Sequence, residues 1–446
     1  MSLFTKQAGV WTKRVPFAKK ATGYAGSSLT VKVEGEYVPE VNTGGPAAVF
    51  RVLNGTLKFA INNLVKPVVY QLRNTATNAV TVLGTYNSYV LAEADYNDNY
   101  DDYVFQSIEI PLGGPYNLEF IGELKGDDNT AFVFDNNELI TEFVSFDDSA
   151  YKLKVMPNTL STVLTAVPTT LPTSVNNLNY ALAYAESFDQ DVSGWDVSNV
   201  TKMRSLFGGA SSFNGDITSW DVSNVTDMAN LFIDASSFDQ DISGWDVSNV
   251  TTMQFMFSYT DFNQDISGWN TSGVQTMRSM FEGNASFDQD ISGWDVSNVT
   301  DMTTVFQYAS SFNQDISGWD VSSVTEMGDM FNSSTSFNQN LSSWNVSNVT
   351  KMSGMFLKTN AVTFGISNWN TGNVTEMRAM FNGSTTFNED ISGWDVSNVT
   401  DMGYMFQNAT WFNQDISGWD VSNVTSYSSF RSGSALSTAK TPPKFR

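Results

Sequence analysis

Ten tryptophans recur along the chain at an almost fixed interval: Trp195, Trp220, Trp245, Trp269, Trp294, Trp319, Trp344, Trp369, Trp394 and Trp419. Each step is 25 residues except Trp245 to Trp269, which is 24. The residues between them recur as well, as in FDQDISGWDVSNVTDM at Phe287–Met302. Each repeat offers the same side chains to its neighbours, so repeats stack and every position becomes a column. The missing residue falls in FSYTDF, where other copies read like FIDASSF, which marks a loop that tolerates a change of length.

Within one repeat the apolar positions are Phe287, Ile291, Trp294, Val296, Val299, Met302, Val305, Phe306 and Ala309. The first half, FDQDISGWDV, carries Gly293 and reads as a short strand followed by a corner. The second half spaces Val299, Met302, Val305, Phe306 and Ala309 three and four apart, which predicts a short α- or 3-10-helical turn. Ser297, Asn298 and Thr300 before it are helix-capping types. The apolar groups of one repeat cannot offset the entropy of ordering it, so stacking must supply the rest. At the start, Val175, Leu178 and Ala185 align with Val200, Met203 and Ala210, and LTAVPTTLPTSV replaces the Trp-bearing half. Residues 159–187 therefore read as a capping coil, 188–430 as the repeat array and 431–446 as a C-terminal cap or tail.

Upstream, residues 1–45 form a basic arm in which Lys6, Lys13, Arg14, Lys19 and Lys20 precede any acid. KQAGVWTK and KVEGEYVP read as two short hairpins. The arm is either a solvated terminus or an anchor for an acidic partner, with Lys13, Arg14, Lys19 and Lys20 as the contact candidates. Residues 46–158 alternate short β-prone runs with turn signals such as Asn54-Gly55 and Gly113-Gly114-Pro115, which predicts an antiparallel sandwich or barrel. The loop DYNDNYDDY could hold Ca²⁺ through Asp95, Asp98, Asp101 and Asp102, or stand as a solvated acidic loop. It lacks the EF-hand glycine and terminal glutamate.

The chain contains neither Cys nor His, which removes disulfides, thiol nucleophiles, zinc sites of the usual ligands and Ser-His triads. Its net charge of −24 opposes nucleic acid and anionic membrane. The first twenty residues show no apolar signal core, and no later run is long enough to span a bilayer.

The repeat consensus FNQDISGWDVSNVTDM, with MF two residues on, closely resembles the BspA-like leucine-rich repeat, in the 25-residue form found in bacterial surface proteins and some phage proteins. The resemblance covers about 270 residues and implies a leucine-rich-repeat-type solenoid with an adhesive role and no catalysis. The fold class expected is mainly β: an antiparallel β-sandwich-like N-terminal domain followed by a solenoid of about ten coils. The spacing of Lys, Gly and Trp in the arm resembles, over a short stretch, the openings of phage virion structural proteins. Together these imply a virion-surface structural or adhesion protein, such as a head fibre, decoration protein or tail fibre. Its partners would be other virion proteins through the N-terminal region and a host-surface protein or glycan through the solenoid, with self-association open. The alternatives are a bacterial cell-surface adhesin exported by a non-Sec route, and a glycan depolymerase using paired carboxylates. One copy departs from the pattern: LKTNAVTFGISNWN puts Val362 where Phe stands elsewhere and Gly365 in an Asp column.

Two acidic columns follow from the register, one from Asp191 to Asp415 and one following each Trp from Asp196 to Asp420. The post-Trp column is expected to accept backbone N–H groups in Asx turns. The other could bind divalent ions or a cationic or carbohydrate ligand, or have its repulsion screened by salt alone. The Met column reads as core, and the Trp column as core in preference to a sugar-stacking surface. The Asn-X-Thr sequons at Asn199, Asn249 and Asn298 read as caps. The residues that vary most lie between the Met and Phe columns. Gln254, Tyr259, Thr304, Gln307 and Tyr308 are therefore the solenoid's candidate partner-binding residues.

Overall fold

The computed structural model describes Val167 and residues 169–171 and 175–446 in full, together with the backbone of thirteen short strands upstream. The chain divides into two units, Met1–Gly45 and Pro46–Arg446. In the first, β1 (Phe4–Gln7) pairs antiparallel with β2 (Val10–Lys13), and β3 (Lys32–Val33) with β4 (Glu36–Tyr37). Lys13 is described only as the last backbone position of β2. Arg14, Lys19, Lys20, Asp95, Asp98, Asp101 and Asp102 lie outside the described residues.

The second unit opens with β5 (Ala48–Val52), β6 (Gly55–Ile61), β7 (Val68–Asn74), β8 (Val80–Tyr86), β9 (Gln106–Ile110), β10 (Tyr116–Ile121), β11 (Ala131–Asp135), β12 (Ile140–Phe146) and β13 (Lys154–Val155). One sheet has the order β12-β5-β10-β7-β8, and another the order β13-β11-β6-β9. Every pairing in them is antiparallel except β11 with β13.

From Asn177 onward the repeats lie on one another in register. Ten parallel bridges run from Asn177↔Lys202 to Asp401↔Ser426, each joining equivalent positions of successive coils. The core is a set of side-chain stacks. Phe306 lies 3.9 Å from Phe312 within its coil and 5.7 Å from Phe331 in the next. Trp269 and Trp294 stack at 6.3 Å and 5°. The ten Trp side chains are only 3–6 % exposed. Beyond filling the corner, each indole after the first bonds to the preceding coil: Trp294 Nε1 donates to the Ile266 carbonyl at 3.1 Å, and Trp319 Nε1 to that of Ile291 at 3.1 Å. A buried indole N–H needs such an acceptor, which ties the column to its spacing.

The local structure differs from the strand-and-helix reading in two ways. The bridges fall at Asp301 and its equivalents, after the Trp half rather than inside FDQDISGWDV. The segment after them is a chain of turns and contains no helix. Val305 N bonds Met302 O, Gln307 N bonds Thr304 O and Ala309 N bonds Phe306 O, while the alternate N–H groups of Met302, Thr304, Phe306 and Tyr308 bond carbonyls of the next coil. Thr304 and Tyr308 have φ of 56° and 60°, as the third residue of a type II turn requires. Three-residue turns reproduce the apolar spacing of a helix, so periodicity alone could not separate the two. What a helix would satisfy along its own axis is satisfied here between coils.

The divergent coil is rebuilt rather than lost. Val362 is 49 % exposed and leaves the core, and Phe364, two residues on, takes the vacant place. It stacks at 4.1 Å on Phe356 and at 6.2 Å on Phe387. The last coil is covered on one side by the tail, where short 3-10 turns at Thr438–Lys440 and Pro443–Phe445 bring Phe445 to 4.6 Å from Tyr427.

Candidate functional site

The corner half of each coil is held by side-chain acceptors. In the post-Trp column Asp295 Oδ1 accepts from Ser297 N at 3.0 Å, and the same Asx turn recurs through Asp420 and Ser422. The preceding column, read as open to a ligand or to salt screening, does the same: Asp290 Oδ1 accepts from Ser292 N at 2.9 Å, and Asp415 Oδ1 from Ser417 N at 3.1 Å. The hydroxyl and amide of the serine two residues on hold the Asp290, Asp295 and Asp315 carboxyls below the usual carboxylate range. Asn340 and Asn345 stand in these columns and accept from Ser342 and Ser347 in the same way. The position thus asks for an acceptor oxygen and not for a charge. No three acids among the described residues come together as a metal site would need.

A further polar column follows each Phe. Asn263 Oδ1 accepts from Asp288 N at 3.0 Å in the next coil, and Asp288 Oδ1 accepts from Asn313 N at 2.9 Å. The sequon asparagines also join coils rather than cap a helix, since Asn298 Nδ2 donates to Ser272 O at 2.9 Å. Most of what recurs in the repeat is therefore committed to core or to coil-to-coil bonding.

What remains is the outward face of the turn chain. Two columns there have left-handed backbone. One runs through Ser205, Asn230, Phe255, Ser279, Thr304, Asp329 and Tyr404, and the other through Tyr184, Asp234, Tyr259, Tyr308, Ser333, Lys358 and Asn408. Glycine fills the second column where a large side chain from the coil before lies across it. A Cβ on Gly283 (φ 69°) would come within 2.4 Å of the Tyr259 ring, and one on Gly209 (φ 73°) within 2.6 Å of the Tyr184 ring. Tyr184, Tyr259 and Tyr308 are each about half exposed, at 54 %, 48 % and 48 %.

Charge is segregated in the same pattern. Between Ser187 and Phe430 the chain has 28 acids and 6 bases. All six bases, Lys202, Arg204, Arg278, Lys351, Lys358 and Arg378, belong to the turn chain or its bridge column. Four pair across coils: Arg204–Asp227 at 3.0 Å, Arg278–Asp301 at 3.8 Å, Lys351–Glu326 at 2.9 Å and Arg378–Asp401 at 3.6 Å. Arg378 also lies 4.7 Å from the centre of the Tyr404 ring. Tyr259 Oη donates to Glu282 at 3.0 Å, and partial burial with this carboxylate pushes the phenol up to about 12. Burial likewise raises the carboxyl of Asp329.

Of the sequence-derived candidates, Gln254 and Tyr259 share one coil and Thr304, Gln307 and Tyr308 another. Tyr259 and Tyr308 are exposed, and Gln254, Thr304 and Gln307 are half-buried. Thr304 is also tied to Ser279 through their hydroxyls. Sequence reasoning passed over Tyr184, Phe255, Tyr404 and the arginines. The usable signal was glycine recurring in one column at Gly209, Gly283, Gly383 and Gly433, which marks left-handed backbone beneath large neighbours.

The family described as "Mycoplasma protein of unknown function, DUF285" matches three overlapping stretches, residues 170–261, 256–364 and 337–440. Together they cover more than half of the chain. The chain belongs to the DUF285 family. No curated protein and no solved structure matches it. The DUF285 stretches take in every coil of the turn face and both flanking Asx columns, so family membership and the outward face described above rest on the same residues.

Proposed function

We propose that the chain is a non-enzymatic structural and adhesion protein of a virion surface. Its N-terminal region anchors it, and its coil stack is a leucine-rich-repeat-type solenoid of the BspA-like kind that projects for host-surface or protein binding. The observation that carries this reading is the division of labour within the repeat. Core, corners and acidic columns are spent on holding the stack, while one outward face varies from coil to coil and gathers the bases and exposed tyrosines. Variable side chains on a rigid scaffold are how repeat proteins present a binding surface. Tyrosine and arginine are the residues that contribute most per contact in such surfaces. Exposed, serine-bonded carboxylates held low are poor general acids, which weighs against the depolymerase reading.

Two measurements test it. Deleting residues 1–45 should abolish incorporation into particles; normal incorporation sinks the anchoring role. Replacing Tyr259 and Tyr308 by serine should weaken binding to host surface by about tenfold or more, as loss of two anchor aromatics does. Unchanged binding would remove the face from consideration. The family's description names Mycoplasma, a bacterium, and so favours a second reading as a bacterial cell-surface adhesin. Secretion genes rather than capsid and tail genes beside the coding sequence would decide for that reading.

A further inference from the structure

The two edges of a coil differ chemically. In every coil the N–H groups at alternate turn residues donate to the following coil at 2.6–3.3 Å. The last coil receives these bonds on the carbonyls of Ser426, Ser428, Phe430 and Ser432. Its own equivalent donors, the N–H groups of Tyr427, Ser429, Arg431 and Gly433, have no following coil and no acceptor among the described residues. The carbonyls of Tyr427, Ser429 and Arg431 are already used inside the turns by Phe430, Ser432 and Ser434. From Tyr427 to Arg431 this end of the stack therefore offers donors and no free acceptors, unlike a β-strand edge, where the two alternate; the acceptor beside the row is the Thr425 carbonyl, whose equivalent at Thr400 accepts from the coil that follows.

The C-terminal tail does not close this row. It covers the corner side, where Lys440 O accepts from Ile416 N and Lys444 Nζ donates to the carbonyls of Val421, Ser422 and Val424. On the turn side an open groove of about 810 Å³ remains, lined by residues 425–434 and Phe445. The charge changes sign over the same part of the chain, and of its bases Arg431 lines the groove. After Asp420 the chain has Arg431, Lys440, Lys444 and Arg446 and no acid. None of the four forms an ion pair among the described residues. Asp415 lies within electrostatic reach of Lys440 and Arg446.

We propose that this end is a docking site for an acidic polypeptide segment of a partner, laid along Tyr427–Gly433 as one further rung. Its main-chain carbonyls take the row of N–H donors, and its carboxylates meet the positive charge around Arg431. The ten coil contacts below it use the same donors on the same kind of acceptor, so the site continues an interface already built into the fold. A second copy is not the occupant by this edge: two donor rows cannot pair with each other. At the other end of the stack, of the four residues that hold the complementary carbonyls, Asn177, Ala181 and Ala183 are buried and Asn179 is half-buried.

The test uses the full chain and a fluorescent ten-residue peptide alternating valine with aspartate or glutamate, with an asparagine and glutamine version as its neutral counterpart. The acidic peptide should bind at least about tenfold more tightly, and its advantage should shrink as salt is raised. Ser428→Glu with Ser432→Glu places two charges beside the donor row at exposed residues. It should lower acidic-peptide affinity by about tenfold or more with the thermal midpoint unchanged. If that double variant fails to fold, Ser428→Glu alone serves as the comparison. Equal binding of both peptides, no binding of the acidic peptide up to about 1 mM, or indifference to the substitutions overturns the proposal. So does tighter binding of inorganic polyphosphate, which would make the site one for phosphate. Concentration-dependent self-association abolished by the same variant overturns it in favour of a second copy.

Discussion

Glu389 and Gly365 are the two departures from the repeat that the fold joins. In regular coils an Asp accepts from the N–H two residues on, as Asp290 does from Ser292. Gly365 has no side chain to do this for Ser367. Glu389, standing in the next coil where most other copies have Gln, reaches back instead: its Oε1 accepts from Ser367 N and its Oε2 from Phe364 N, each at 2.9 Å. It is 8 % exposed. Glu389→Ala therefore strands two backbone donors. Phe364 is buried and bears the full loss, about 1–3 kcal/mol, whereas Ser367 is exposed and water can replace most of its partner. With the packing lost beneath the carboxylate, the expected cost is about 2–4 kcal/mol. Gly365→Asp does not restore the regular arrangement, because Gly365 has φ 70° and a Cβ there would meet Asn340 Oδ1 at 2.2 Å. Urea unfolding measures the stability, and hydrogen exchange across residues 360–370 shows whether the opening is local, as expected for an array in which each coil contacts only its neighbours. A change below about 0.5 kcal/mol with unaltered exchange at Phe364 would refute the reasoning.

Gly283→Ala should cost about 1–2 kcal/mol from left-handed backbone and overlap with the Tyr259 ring, and Tyr259→Ala should recover the overlap part in a double-mutant cycle read by urea unfolding. Trp294→Phe removes buried volume and the indole bond to the Ile266 carbonyl, which keeps its bond from Trp269 N, and should cost about 1–3 kcal/mol in the same assay. The Asx carboxyls are held below their unfolded value, so their contribution is present above that value of 3.8 and is lost as pH falls through the lower folded values. Thermal midpoints should therefore drop below about pH 4, and less steeply in Asp290→Asn with Asp295→Asn, which keep the acceptor without the titration; equal slopes in both proteins would show that the turns are not the cause.

Much of the stack was legible in the repeat. A 25-residue period with constant Phe, Ile, Trp, Val and Met columns leaves few ways to bury those side chains other than in register. The variable segment was legible as well, because whatever does not hold the stack is free to change. The conformation of that segment was not, since turns and helices place apolar residues at the same spacing. Nor was the fate of the first acidic column. An aspartate that caps a turn and one that awaits a ligand have the same sequence, and only the position of the serine amide two residues on separates them.

The sequence by itself determined which side chains repeat, where the period slips, and that the charge of the array is almost wholly acidic. Only the tertiary structure decided where the hydrogen bonds go. The backbone donors of each coil find their acceptors 23 to 25 residues away, as when Phe257 N meets Met280 O and Phe306 N meets Met330 O. That pairing also decides that Phe364 replaces Val362, that Glu389 serves the coil before its own, and that the last coil is left with a row of unpaired donors. Each follows from contacts between coils, and a pattern read along one coil carries no information about them.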